Sequence, residues 1–164
     1  MVIDLRKHFK SDDFSSQVDY EVNLSELEMG GRNPLVEPVL VSAEFKSFSG
    51  SVLLEMELKY KILLPCDRCT EETEISKASK LSHILVKELN EEEDESYVIV
   101  ENEKLDLDEL VYTDVILELP SKILCSPNCK GLCQQCGINF NNGDCNCNKN
   151  QVDSRLEILK TLIE

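Results

Sequence analysis

The sequence predicts an α+β fold: an antiparallel β-sheet body, highly curved or barrel-like, with one or two helices and a cysteine-rich C-terminal segment. Three features carry that prediction. Apolar residues recur at every second position along much of 18–100, the period becomes helical at 106–119, and six of the eight cysteines crowd into 125–147.

The elements follow in chain order. Val18, Tyr20, Val22 and Leu24 alternate with polar neighbours and predict a first strand. Gly30–Gly31 marks a turn. Val39, Val41, Ala43 and Phe45 alternate with Ser42, Glu44 and Lys46, and "SFSGS" supplies the next turn. "SVLLEMELKYKILLP" then sets Val52, Leu54, Met56, Leu58, Tyr60, Ile62 and Leu64 on one face. So long an alternation predicts a half-buried strand, and the pair reads as an antiparallel hairpin. "TEETEISKASKLSHILVKE" predicts a strand returning beside 52–64, and "SYVIV" at 96–100 a further short one. Between them "ELNEEEDE" holds six acids in eight residues. It reads as a solvated loop, with an acidic docking site as the other reading.

"DLDELVYTDVILELP" changes the period. Leu107, Leu110, Val111, Val115 and Leu117 fall on one side of a helix, Asp106 and Glu109 have capping-box spacing, and Pro120 closes the run. "DSRLEILKTLIE" fits a second helix capped by Asp153 or Ser154. The expected division is an acidic β-rich body over 1–119, with its helix at about 106–119, and a cysteine-rich segment with a C-terminal helix over 120–164.

Charge follows the same division. Residues 1–119 carry 12 Lys+Arg against 28 Asp+Glu, a net of -16, whereas 120–164 carry 5 against 4, a net of +1. An acidic body repels phosphate backbones, so any nucleic-acid contact is expected from the tail or the short basic start, Arg6, Lys7 and Lys10. No apolar run approaches a membrane span, and "MVIDLRKHFK" lacks the apolar core of a secretory signal. We expect a cytoplasmic protein with no membrane partner, where thiols stay reduced and clustered cysteines hold metal more often than they form disulfides.

Apart from its cysteines, 125–147 offers only Pro127, Leu132, Ile138 and Phe140 as substantial apolar side chains. That is too little burial to offset the ordering of the segment, and bound zinc supplies binding energy of the missing scale. "CQQCG" has the Cys-x-x-Cys-Gly form of a zinc knuckle, in which glycine permits the turn that aims amides at the sulfurs. "NNGD" makes a tight turn that returns the chain to Cys145 and Cys147. A four-thiolate site from Cys133, Cys136, Cys145 and Cys147 follows, with the unusual final C-x-C leaving open that one of its cysteines is spare. "CDRC" is a second knuckle, but Cys66 and Cys69 are too few for a structural site. Cys125 and Cys129 are their natural partners if the fold brings the pairs together, so one or two zinc ions are expected. Arg68, between two of these cysteines, is expected to balance a thiolate cluster rather than to bind phosphate.

Other readings of the cysteines are weaker. "CKGLCQQC" matches the C-x3-C-x2-C spacing of radical iron–sulfur enzymes, but the 28 residues after Cys136 cannot supply the large barrel such enzymes need. Eight thiols also allow disulfides, and a cysteine outside the metal sites would be free for redox chemistry. Neither proposed site keeps an open coordination position. His8 and His83 are the only histidines, and there is no G-x-G-x-x-G, phosphate loop or H-E-x-x-H. The sequence does not read as an enzyme, and no catalytic residue or small-molecule substrate is assigned.

"PCDRC" after a long strand, "LELP", "CKGLCQQCGINFN", "CNC" and "DSRLEILK" together resemble the YceD family from about residue 20 onward. The family is bacterial with plastid relatives, was long catalogued as a domain of unknown function, and is linked to accumulation of large-subunit ribosomal RNA. Family members often have proline at Gln134, leucine at Phe140 and proline at Ser154; none of these changes removes a ligand. Some members lack the C-terminal cysteines, which implies that the cluster supports structure or a local contact. The resemblance implies a non-enzymatic factor in ribosome biogenesis that helps large-subunit ribosomal RNA mature or persist, by binding that RNA or a ribosomal protein. The competing class is an interaction module whose zinc is released on thiol oxidation.

Overall fold

The computed structural model describes residues 1–88 and 97–147. Seven strands and one helix are set out: β1 (Val2–Asp4), β2 (Ser15–Val22), β3 (Val39–Phe48), β4 (Ser51–Pro65), β5 (Glu72–Val86), β6 (Tyr97–Ile99), β7 (Lys104–Asp106) and α1 (Leu107–Glu118). The second helix expected at 153–164 and most of the acidic run at 88–95 lie outside the described residues.

β4 is the spine. All seven apolar residues predicted on one face, Val52 to Leu64, are buried, and the parity continues to Cys66, which is also buried. β3 pairs with it antiparallel through a tight turn at Ser49–Gly50, and β5 returns along it from Pro65↔Glu72 to Val52↔Leu85. β2 pairs antiparallel with β3.

Two expectations need correction. The five-stranded sheet runs β2-β3-β4-β5-β6 and does not close into a barrel; β1 and β7 form a separate two-stranded ribbon. Other elements cover its apolar face: Leu5, Leu105 of the ribbon and Leu107, Val111 and Val115 of α1 join the core built on β4. Covered in this way, the sheet has no need to curl on itself to remove that surface from water. The sheet is also mixed, because β6 runs parallel to β5. Alternation in "SYVIV" fixes which side chains share a face, not which way the strand runs.

α1 starts where its cap was expected, with the Asp106 carboxylate accepting from the Asp108 N–H at 3.1 Å. Its buried face is Leu107, Val111, Asp114 and Val115, while Leu117 is exposed. Asp114 is buried because His83 of β5 meets it, Nε2 to Oδ2 at 2.9 Å, and Ser79 beside it donates to Glu118 at 2.8 Å. His8, also buried, lies between Ser16 and Ser47 with its ring nitrogens 2.8 and 3.2 Å from their hydroxyls. Among the described residues no helix is long and apolar enough to cross a membrane.

Candidate metal centres

The β4–β5 connection builds the first site. β4 ends at Pro65, and the turn closes with the Cys66 N–H donating to Glu71 O (2.8 Å) and Thr70 N–H to Cys66 O (2.9 Å). The chain leaving α1 then docks beside it. Asp67 N–H donates to Ile123 O at 2.8 Å, and the Ile123 N–H donates to the Asp67 carboxylate at 2.7 Å. That two-way bond, with Ile123 buried in the core, delivers Cys125 and Cys129 to Cys66 and Cys69.

The structure therefore brings together cysteines 56 to 63 residues apart, with Cys69 and Cys125 sulfurs at 3.5 Å and Cys66 and Cys129 sulfurs at 3.8 Å. All four lie within 4.8 Å of one another. A tetrahedral metal at about 2.3 Å from each sulfur needs S···S near ~3.8 Å, whereas a disulfide needs ~2.05 Å. All eight cysteines are free thiols. The spacing thus suits a shared metal rather than sulfur–sulfur bonds.

The second site follows directly along the chain. Gly137 N–H donates to Cys133 O (2.9 Å) and Cys133 N–H to Ile138 O (2.8 Å), closing the knuckle with Gly137 at φ +73°. Cys133, Cys136, Cys145 and Cys147 gather with all four sulfurs within 4.8 Å, Cys145 and Cys133 at 3.4 Å. Both cysteines of the final C-x-C are thus in the cluster. Either tetrad can hold a metal ion. The sites differ in exposure: at the first, Cys66, Cys69 and Cys129 are buried and Cys125 exposed, whereas at the second only Cys133 is buried, Cys136 is exposed and Cys145 and Cys147 are half-buried.

Electrostatics favour a cation in each. Burial opposes ionisation of Cys66, but the Cys125, Arg68 and Cys69 amides aim at its sulfur and bring the thiol down to about 6. The Cys136 and Gln135 amides and the Cys145 thiol bring Cys133 down to about 6. At Cys69 the Glu71 amide favours the thiolate, but burial and the three neighbouring thiols outweigh it and push the thiol up to about 12. Cys147 goes up to about 12, first through Cys136 and then through burial. Four thiols at this distance cannot all ionise without a cation among them. A soft divalent ion that replaces the retained protons meets the donor set of structural zinc sites.

Residues that composition did not single out join the two sites. Gly131, at φ +76°, presses on the first knuckle: a Cβ there would lie 3.0 Å from Arg68 O, which accepts from the Leu132 N–H at 3.1 Å. Asn141 donates its amide to the Cys129 sulfur at 3.2 Å, and this is the leading influence lowering that thiol. Asn139 and Asn142 both donate to the Glu71 carboxylate, at 3.0 and 3.1 Å. Asn141 and Asn142 of "NNGD", read from sequence as a tight turn, and Asn139 before them thus tie the second loop to the first site. Arg68 donates to Cys129 O at 2.8 Å, so its guanidinium braces the first site.

Comparison with known proteins places these features in a family. Residues 54–163 match the family described as "Large ribosomal RNA subunit accumulation protein YceD". The chain is 28% identical to "Uncharacterized protein YlbN" of Bacillus subtilis, over 92% of this chain and 89% of that one. It is 26% identical to the chloroplastic "Large ribosomal RNA subunit accumulation protein YCED homolog 1" of Arabidopsis thaliana, over 71% of this chain and 46% of that one. The Zea mays protein of the same name is 25% identical, over 77% of this chain and 54% of that one. The chain thus spans about half the length of these plant relatives. No solved structure matches it.

Proposed function

The chain belongs to the YceD family, and we propose that it is a non-enzymatic zinc-binding factor that supports the processing or accumulation of large-subunit ribosomal RNA by binding that RNA or a ribosomal protein. The carrying observation is the tetrad of Cys66, Cys69, Cys125 and Cys129, which takes two thiols from the sheet and two from the tail. A metal there fixes the tail to the β4–β5 turn, and the second tetrad orders the loop beyond. Four protein ligands at each ion leave no position for water or substrate, so the metals act as scaffold.

Two such sites add two negative charges each and take the formal charge from -15 to -19. A basic ribosomal protein is the electrostatically easier partner for the body. RNA, if touched directly, meets the tail, where Lys122, Lys130, Lys149, Arg155 and Lys160 lie on a segment whose formal charge, +1 without metal and -1 with zinc in the second tetrad, stays far above that of the body. Deleting the chain in its own cells tests the role. The reading expects a fall in large-subunit relative to small-subunit ribosomal RNA, restored by the native chain and not by Cys66→Ser/Cys129→Ser. An unchanged ratio on deletion refutes it.

That only one ligand of the second site, Cys133, is buried, against three of the first, favours a second reading, in which the second site releases zinc on thiol oxidation. Zinc ejection by mild peroxide, with one equivalent leaving well before the other, supports it. Slow and simultaneous release supports scaffold alone.

A further inference from the structure

We infer that the outward face of the sheet at its β3–β4 turn end, continuing to the β6 edge, docks a basic, amphipathic segment of a protein partner. The middle of that face is charged and self-paired: Lys46 lies 3.1 Å from Glu44 and 2.6 Å from Glu55, and Lys59 3.3 Å from Glu57. Toward the turn it becomes apolar. Register sets Leu53 between Lys46 and Ile84 and sets Ile84 opposite Tyr97, with Phe48 and Ile99 ending their strands on the same side. Phe48 is 72% exposed, Ile99 50% and Ile84 36%. Leu53 carries the sequence signal: with Leu63 at the far end it bounds an outward row that reads Glu55, Glu57, Lys59, Lys61, and it is the leucine at the turn end. A sheet with one buried face has no need of leucine there.

The patch runs onto the β6 edge, where a cleft of about 450 Å³ is lined by Ile99 and Leu110 and carries the carboxylates Glu101, Asp106 and Glu109 beside Lys104, with Asp106 also 3.3 Å from the N-terminal ammonium. β6 ends the strand order, so its outer edge is unpaired among the described residues. Charge selects the occupant. Lys87 at the end of β5 is taken by Glu103 at 2.5 Å, Glu88 after it is exposed, and the chain carries a formal net charge of -15. Nucleic acid is repelled by such a surround, and a second copy would bring the same acids. A segment in which Lys or Arg alternates with large apolar side chains matches both the apolar row and its rim.

This inference rests on the proposed role only for the pool in which the partner is sought. The experiment places a photo-reactive phenylalanine analogue at position 48, and at 59 as control, in the full zinc-loaded chain. The probe is RNA-free total protein from large ribosomal subunits. The expected result is a crosslink from 48, absent from 59, to a basic amphipathic segment. Affinity for the captured protein should fall with rising salt, and by about tenfold or more in Phe48→Ser/Ile99→Ser, with circular dichroism and zinc content unchanged. No crosslink from 48, a crosslink there to a second copy or to added large-subunit RNA instead, or full affinity in the double variant would overturn the inference. Complementation separates this from the role itself. If deletion lowers large-subunit RNA and the double variant restores it fully, the role stands and the docking surface falls.

Discussion

Gly131 shows how much of the tail rests on single backbone positions. Its φ of +76° and its approach to Arg68 O leave no room for a side chain. Gly131→Ala should destabilise the first site by about 1–3 kcal/mol, read as faster zinc loss to a chelator and a lower melting temperature. "CKGLC" announces a glycine between cysteines but not the second strand of chain it touches, because that contact spans more than sixty positions. The asparagines at 139, 141 and 142 were hidden for the same reason: a turn signal is local, whereas Glu71 and Cys129 reach them through the fold. His8 carries a pH prediction. Burial holds its pKa below the ordinary 6.5, despite a Phe14 backbone bond that favours the charged form. The unfolded chain therefore takes up a proton first as pH falls, and stability present above about 6.5 is lost toward the lower folded value. The melting temperature should decline as pH drops through that window, and His8→Gln should flatten the slope; an equal slope in the variant would exclude His8 as its source.

β4 was legible because an alternation of that length admits few other structures, and the structure follows it residue for residue; β5, with a weaker pattern, was legible as the strand returning beside it. α1 was legible in its limits and cap but not in its face. Asp114 was discounted as polar, which shifted the apparent stripe toward Leu117; a carboxylate can be buried when a partner such as His83 waits on the neighbouring strand. The ribbon of β1 and β7 was missed, since three-residue strands carry too little pattern to read. The two cysteine clusters make separable demands on these elements. Cys136→Ser should cost one metal equivalent and loosen 130–147 while β3, β4 and β5 keep their hydrogen-exchange protection. Cys129→Ser should also free the segment from Ile123 onward and expose amides of the β4–β5 turn, because that tetrad joins sheet and tail. Loss of protection throughout β4 in either variant would show that the sheet depends on the metal for its own stability.

At the largest scale, the described residues form an acidic, open sheet with one face covered by α1 and the ribbon, and a tail built around two cysteine tetrads with few apolar side chains beside them. Sequence gave reason to expect a curled sheet because a single apolar face must be hidden. It could not say that a helix and a ribbon from elsewhere in the chain would hide it. Metal dependence also sets a pH response for the whole. Cys69 and Cys147, pushed up to about 12 without metal, retain protons at neutral pH that a metal must displace. Zinc affinity should therefore rise with pH and fall as it drops, more steeply near 6, where Cys66 and Cys133 also protonate. A titration showing no such dependence would mean that thiolates are not the ligands. The most direct test is elemental analysis joined to zinc-edge X-ray absorption on full-length protein purified under reducing conditions. The account predicts two zinc ions per chain, each with four sulfur neighbours at about 2.3 Å. A brown iron-containing protein, a protein without metal, or zinc bound through nitrogen or oxygen would contradict it.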